Sequence, residues 1–144
     1  MLESQSVTLL HVEDDEICQM MLSRSFRLRK IANPIVGACD GIDALELLRG
    51  TNGRERLPRP FMIVLDLNMP RMNGMEFLKE LRKDEELKQS VVFVFSTSDA
   101  DKDKVGAYNL GVAGYILKSN PANAFAEITV LLADYLRVVE FPPE

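Results

Sequence analysis

The sequence predicts an α/β fold, a five-stranded parallel sheet doubly wound by five helices, on three observations. Five short apolar runs alternate strictly with five segments of helical character. The third and fourth runs, at 61–65 and 91–95, are continuously hydrophobic, as expected of parallel strands covered on both faces. Strict β-α alternation is satisfied by one parallel sheet with right-handed crossovers, and 144 residues suffice for one substantial core.

The first strand, 7–12, leads into the acidic run Glu13-Asp14-Asp15 and a helix over 16–29, with Asp14 or Asp15 available as its cap. The second strand, 34–38, precedes Asp40 as cap of a helix over 41–49. The segment 50–60, rich in Gly, Pro and Arg, is the longest irregular stretch and is expected to be an exposed connector. The third strand, 61–65, ends at Asp66, and Asn73 is placed to cap a helix over 74–83. The fourth strand, 91–95, ends in Ser96, Thr97 and Ser98, with Ser98 or Asp99 as the cap before a helix over 101–110. The fifth strand, 114–117, ends at Lys118. Pro121 is suited to the first turn of a last helix over 122–139, whose core stripe is Phe125, Ile128, Leu131/Leu132, Tyr135 and Val139. The closing Pro142-Pro143 cannot continue that helix.

Composition excludes several classes of function. A net charge of −5 leaves no electrostatic footprint for nucleic acid. No apolar run approaches the roughly 20 residues of a membrane span, and Met1 to Gln5 do not read as a signal peptide. Cys18 and Cys39 have no metal-ligand spacing and are expected to be buried or half-buried thiols of a reducing cytoplasm. His11, inside the first strand, is expected to be structural.

The chemistry lies at strand ends. In an open α/β sheet, ligands bind beyond the carboxyl ends of the strands. Glu13 and Asp14 would meet Asp66, Lys118 and a hydroxyl from Ser96 or Thr97 at that edge. Alone, the acidic triple could serve only as a cap with dipole-complementing charge. Asp66 closes a buried strand and is not needed as a cap. Clustered carboxylates repel, and a hard divalent cation held by oxygens, Mg²⁺ above all, relieves that repulsion. Asp66 is then a nucleophile for phosphorus, forming an aspartyl phosphate. Lys118 and the cation neutralise the phosphoryl oxygens. A carboxylate already ionised at neutral pH needs no general base.

Five features in order resemble the receiver domain of two-component response regulators. They are Glu13-Asp14, Asp66 within the run 66–74 (DLNMPRMNG), the Ser96-Thr97 strand end, Tyr115, and Lys118 closing the run 114–118 (GYILK). The resemblance spans nearly the whole chain. It implies one receiver domain over 1–144, with an ordered core of about 6–140 and a flavodoxin-like strand order 2-1-3-4-5. It implies that Asp66 accepts phosphate from a sensor histidine kinase. Glu13, Asp14 and Asp66 would hold Mg²⁺ together with the Asn68 backbone carbonyl, and Lys118 and Ser96 would contact the phosphoryl group. Ser96 and Tyr115 would form a conformational switch that reshapes the face of the fourth helix, fifth strand and fifth helix, a surface also open to homodimer formation. The protein would stand alone, with no output domain after the last helix, and signal to an unidentified protein target in the cytoplasm. Its own catalysis would be limited to self-phosphorylation and slow dephosphorylation. The long 50–60 loop and the closing residues 135–142 resemble the single-domain subgroup associated with phytochrome-type kinases.

The chain departs from the family pattern in two places. Ser119 stands where a proline, often cis, usually follows the lysine; a cis bond before a non-proline residue costs about 2.5–4 kcal/mol, and the isomer stays open. Ser96 replaces a more common Thr. Among other readings, a haloacid-dehalogenase-type phosphatase wants an acid where Asn68 stands. Neither a glycine-rich dinucleotide turn nor a P-loop is present. The remaining alternative is a receiver-shaped interaction module that carries no phosphate.

Overall fold

The computed structural model describes residues 6–119 and 121–143. Residues 1–5, on which the reading of the N-terminus rests, lie outside them. The elements follow the expected order: β1 (Thr8–Val12), α1 (Glu16–Leu28), β2 (Ile35–Ala38), α2 (Gly41–Arg49), β3 (Phe61–Leu65), α3 (Gly74–Lys83), β4 (Val91–Ser96), α4 (Asp101–Asn109), β5 (Gly114–Leu117) and α5 (Pro121–Val138). All strand pairs are parallel, in the order β2-β1-β3-β4-β5.

Alternation along the strands divides the core in two. Leu10, Val12, Ile63, Leu65, Val92 and Val94 face one side, against Leu48 of α2, Phe77, Leu78 and Leu81 of α3 and Ala107 of α4. Leu9, Met62, Val64, Phe93 and Phe95 face the other, against Leu22 and Phe26 of α1 and Phe125, Ile128 and Leu132 of α5. Burial on both faces is why β3 and most of β4 read as unbroken apolar runs. In α5 the stripe runs through Leu132; Leu131 points outward and is exposed.

The caps fall largely as expected. Asp15 accepts from the Ile17 N–H, Asp40 from Asp43, and Asn73 forms a capping box with Glu76. For α4 the expectation fails. Ala100 occupies the N-cap without a side-chain bond, because Ser98 is held back in the loop. Its N–H donates to Ser96 Oγ at 3.2 Å and its carbonyl accepts from the Tyr115 hydroxyl at 2.8 Å.

The connector over 50–60 is fastened rather than free. Leu57 is buried and its N–H bonds the Leu47 carbonyl at 2.9 Å. Arg54 pairs with Asp43, and Arg56 with Glu86 at 3.0 Å. Cys39 also departs from expectation: it lies beyond β2 in the turn before α2 and is exposed, while Cys18 is half-buried. Among the described residues the one cis peptide bond is Arg59–Pro60. No helix among them is long and apolar enough to cross a membrane.

Candidate functional site

Register brings the strand ends into one row. Val12 pairs with Leu65, Leu65 with Val94, and Ser96 with Leu117. The ladder runs one residue further: the Asp66 N–H donates to the Val12 carbonyl and the Lys118 N–H to the Ser96 carbonyl, both at 2.9 Å. Glu13, Asp14, Asp66, Ser96 and Lys118 therefore leave the sheet at the same edge.

Carboxylate oxygens of Glu13, Asp14 and Asp66 lie within 4.8 Å of one another. Glu13 and Asp66 are buried, whereas Asp14 is exposed. The Lys118 ammonium enters from β5, forms a short ion pair with Glu13 and stands 4.0 Å from Asp66. Its position is reinforced from below by the Phe95 ring, 5.1 Å away. Burial pushes the Glu13 carboxyl up to about 7; Lys118 opposes that shift and the neighbouring Asp66 charge adds to it. One ammonium thus faces three acids. The unbalanced negative charge and the all-oxygen donor set fit a hard divalent cation, and the exposed Asp14 leaves the cluster open to solvent.

Gly74 sets the path of the chain after Asp66. Its N–H bonds the Leu67 carbonyl at 3.0 Å, and a Cβ there would lie 2.5 Å from the Asp66 carbonyl oxygen. Only glycine lets the start of α3 approach the end of β3 this closely. Asn68 follows two residues after Asp66 in the same loop and is exposed. That loop is tied down at its far end by Arg71, whose Nε donates to Asp40 at 2.6 Å.

The remaining expected residues are adjacent but not in contact with the acids. Ser96 is fully buried, and its Oγ accepts the Ser98 N–H. Thr97 is exposed. Tyr115 lies half-buried against the α2–α4 side of the core, with its hydroxyl on the Ser98 carbonyl. Ser98 joins the two, and its Oγ is 2.5 Å from Asp103 of α4. From the sequence, Ser98 stands with Ser96 and Thr97 as a strand-end hydroxyl open equally to cap chemistry or a role at the site; no local pattern marks it as the link. His11 is buried as expected, and desolvation, aided by Lys118, lowers its pKa to about 3.

Comparison with known proteins agrees with this geometry. Residues 9–129 match the response regulator receiver domain. The chain is 30% identical over 135 residues to the response regulator Rcp1 of Synechocystis sp., covering 93% of this chain and 92% of that protein. The Mn²⁺-bound structure of Rcp1 superposes with a TM-score of 0.86 over 95% of this chain and 99% of that one. The phosphorylated cyanobacterial phytochrome response regulator RcpA, 28% identical, superposes with a TM-score of 0.87 over 96% and 100% of the two chains. RPA3017, a response regulator in red light signalling of R. palustris, is 29% identical with a TM-score of 0.81, over 96% of this chain and 99% of that one. With five parallel strands in this order and an acidic strand-end cluster facing a lysine, the chain belongs to the response regulator receiver domain family.

Proposed function

We propose that this protein accepts a phosphoryl group on Asp66 from the phosphohistidine of a sensor kinase and signals through a protein contact. The observation that carries the reading is the convergence of Glu13, Asp14 and Asp66 with Lys118 at one sheet edge. The bond to phosphorus forms from an Asp66 carboxylate oxygen as the donor's nitrogen–phosphorus bond breaks, its electron pair returning to the imidazole. A carboxylate nucleophile attacks without a general base. Glu13, Asp14, Asp66 and the Asn68 backbone carbonyl would hold Mg²⁺. When bound, it neutralises charge on the transferring oxygens. Lys118, 4.0 Å from Asp66, would supply a further positive charge to those oxygens as a point charge.

Ser96 and Tyr115 supply the output. Drawing the Ser96 hydroxyl toward a phosphoryl oxygen withdraws it from the Ser98 N–H, and Ser98 is the residue that holds both Tyr115 and the start of α4. The face of α4, β5 and α5 then changes shape, a local charge event biasing a two-state element. That face, with Val105 and Tyr108 exposed, is the surface offered to the downstream target or to a second copy. The near-complete coverage of Rcp1, RcpA and RPA3017 supports a single receiver domain as the working unit, and the likeness to the phytochrome response regulator RcpA and to RPA3017 of red light signalling supports a phytochrome-type kinase as donor, in the cytoplasm. Self-phosphorylation and slow dephosphorylation are the extent of its catalysis.

Phosphotransfer tests the reading. Purified phytochrome-type kinase labelled on its histidine should pass label to this chain in the presence of Mg²⁺ and not to Asp66→Asn. Label that stays on the phytochrome-type kinase but leaves other histidine kinases would reject the proposed donor.

A further inference from the structure

Gln19 lies one turn into α1, outside the acidic cluster, yet its side chain turns back to the end of β1. Its Nε2 donates to the Glu13 carbonyl at 2.6 Å and reaches the Ala38 carbonyl of β2 at 3.4 Å. The Glu13 N–H donates to that same Ala38 carbonyl at 2.8 Å. Glu13 is thus held at both its N–H and its C=O, and the carbonyl belongs to the peptide group joining Glu13 to Asp14. Because that peptide is planar, fixing the direction of its C=O fixes where the Asp14 N–H and Cα lie, and so the point from which its carboxylate extends. Asp14 itself is exposed, and among the described residues its side chain has no hydrogen-bond partner that would orient it.

Gly37 explains why the amide sits there. A glycine inside a strand weakens it, and Gly37 pairs with His11 in the middle of β2. A Cβ at Gly37 would lie 2.5 Å from Gln19 Oε1 and 3.0 Å from its Cδ. The space of a missing side chain is filled by the Gln19 amide. An added methyl would meet only the end of a flexible side chain, so it would displace the amide and leave the strand in place.

We propose that Gln19, seated in the gap left by Gly37, is a positioning residue that aims the Glu13–Asp14 carboxylate pair at a divalent cation. The proposal rests on the cation reading of the site given above, and deepens it: the cation's affinity is set partly by a residue of α1 that never touches it.

The test is Mg²⁺ titration by calorimetry on wild type, Gln19→Met, Gly37→Ala and the double variant, with thermal unfolding of each metal-free protein. Methionine keeps the length of glutamine and removes the donor. Gln19→Met should bind Mg²⁺ about fivefold more weakly, the scale of one lost hydrogen bond, while its melting temperature stays close to wild type. Gly37→Ala should weaken binding comparably, and adding it to Gln19→Met should cost little more, since both act on one contact. In metal-free protein, the Asp14 and Asp15 amides should exchange faster in Gln19→Met than in wild type, a change independent of any cation. Wild-type affinity in folded Gln19→Met, or additive losses in the double variant, would overturn the proposal. Absence of Mg²⁺ binding by wild type would instead overturn the cation reading, and this proposal with it.

Discussion

Lys118 and Glu13, 105 residues apart in the chain, form an ion pair whose side chains are only 8% and 2% exposed. Removing one partner of a buried pair leaves an uncompensated charge and costs on the order of 3–5 kcal/mol. Glu13 can escape that cost by taking a proton, because burial already pushes its carboxyl up to about 7. Its folded pKa lies above the unfolded value, so its favourable contribution is complete below about 4.5 and is lost as pH rises through about 7. Lys118→Met should therefore lose about 3 kcal/mol at pH 8 and much less at pH 5. Urea unfolding of metal-free protein at the two pH values measures this; an equal loss at both would show that the pair is not what Lys118 contributes.

Asp14 contributes differently, being exposed and outside that pair. Asp14→Ala should leave the fold intact and weaken Mg²⁺ binding by about tenfold or more, equivalent to about 1.4 kcal/mol. Unchanged metal titration would remove it from the ligand set.

Gly74 couples α3 to the phosphoacceptor. With a Cβ 2.5 Å from the Asp66 carbonyl oxygen and 2.7 Å from Leu67 Cα, Gly74→Ala must shift backbone rather than a side chain. The expected result is about 1–3 kcal/mol of destabilisation together with slower phosphorylation of Asp66. Thermal unfolding and a phosphorylation time course read the two effects separately; wild-type behaviour in both would contradict the close approach.

His11 is the only histidine in the chain, so its ring resonances are unambiguous. Burial and the Lys118 charge lower its pKa to about 3, below the unfolded value near 6.5. The neutral ring's contribution to stability is present above about pH 6.5 and is lost as pH falls toward 3, with a slope of at most about 1.4 kcal/mol per pH unit. NMR should show no titration of the ring between pH 5 and 8 in folded protein. A midpoint near 6.5 would mean that water reaches it.

Much of this was legible because apolar runs end abruptly at polar residues. The runs at 61–65 and 91–95 stop at Asp66 and Ser96, and a parallel sheet has only one edge where such ends can gather. Helix caps were legible for the same local reason, since Asp40 and Asn73 sit directly before periodic segments. What escaped depends on contacts between segments. Nothing near residue 118 says that its ammonium pairs with Glu13 rather than Asp66, and nothing near Gly37 says that a glutamine from α1 occupies its empty side. The cap of α4 was misplaced because Ser98 is held by Tyr115, a residue 17 positions away. Leu57 looked like part of an exposed connector because its Gly, Pro and Arg neighbours mask a single buried anchor.

Every functional step proposed for this chain begins with a phosphoryl group on Asp66. Intact mass after incubation with acetyl phosphate, with and without Mg²⁺, on wild type and Asp66→Asn tests this most directly. One hydroxylamine-labile phosphoryl adduct is expected on wild type, only with Mg²⁺, and none on Asp66→Asn. An adduct of the same size on Asp66→Asn would contradict this assignment. So would its absence from Mg²⁺-loaded wild type with both acetyl phosphate and phosphorylated kinases, which would leave a receiver-shaped interaction module.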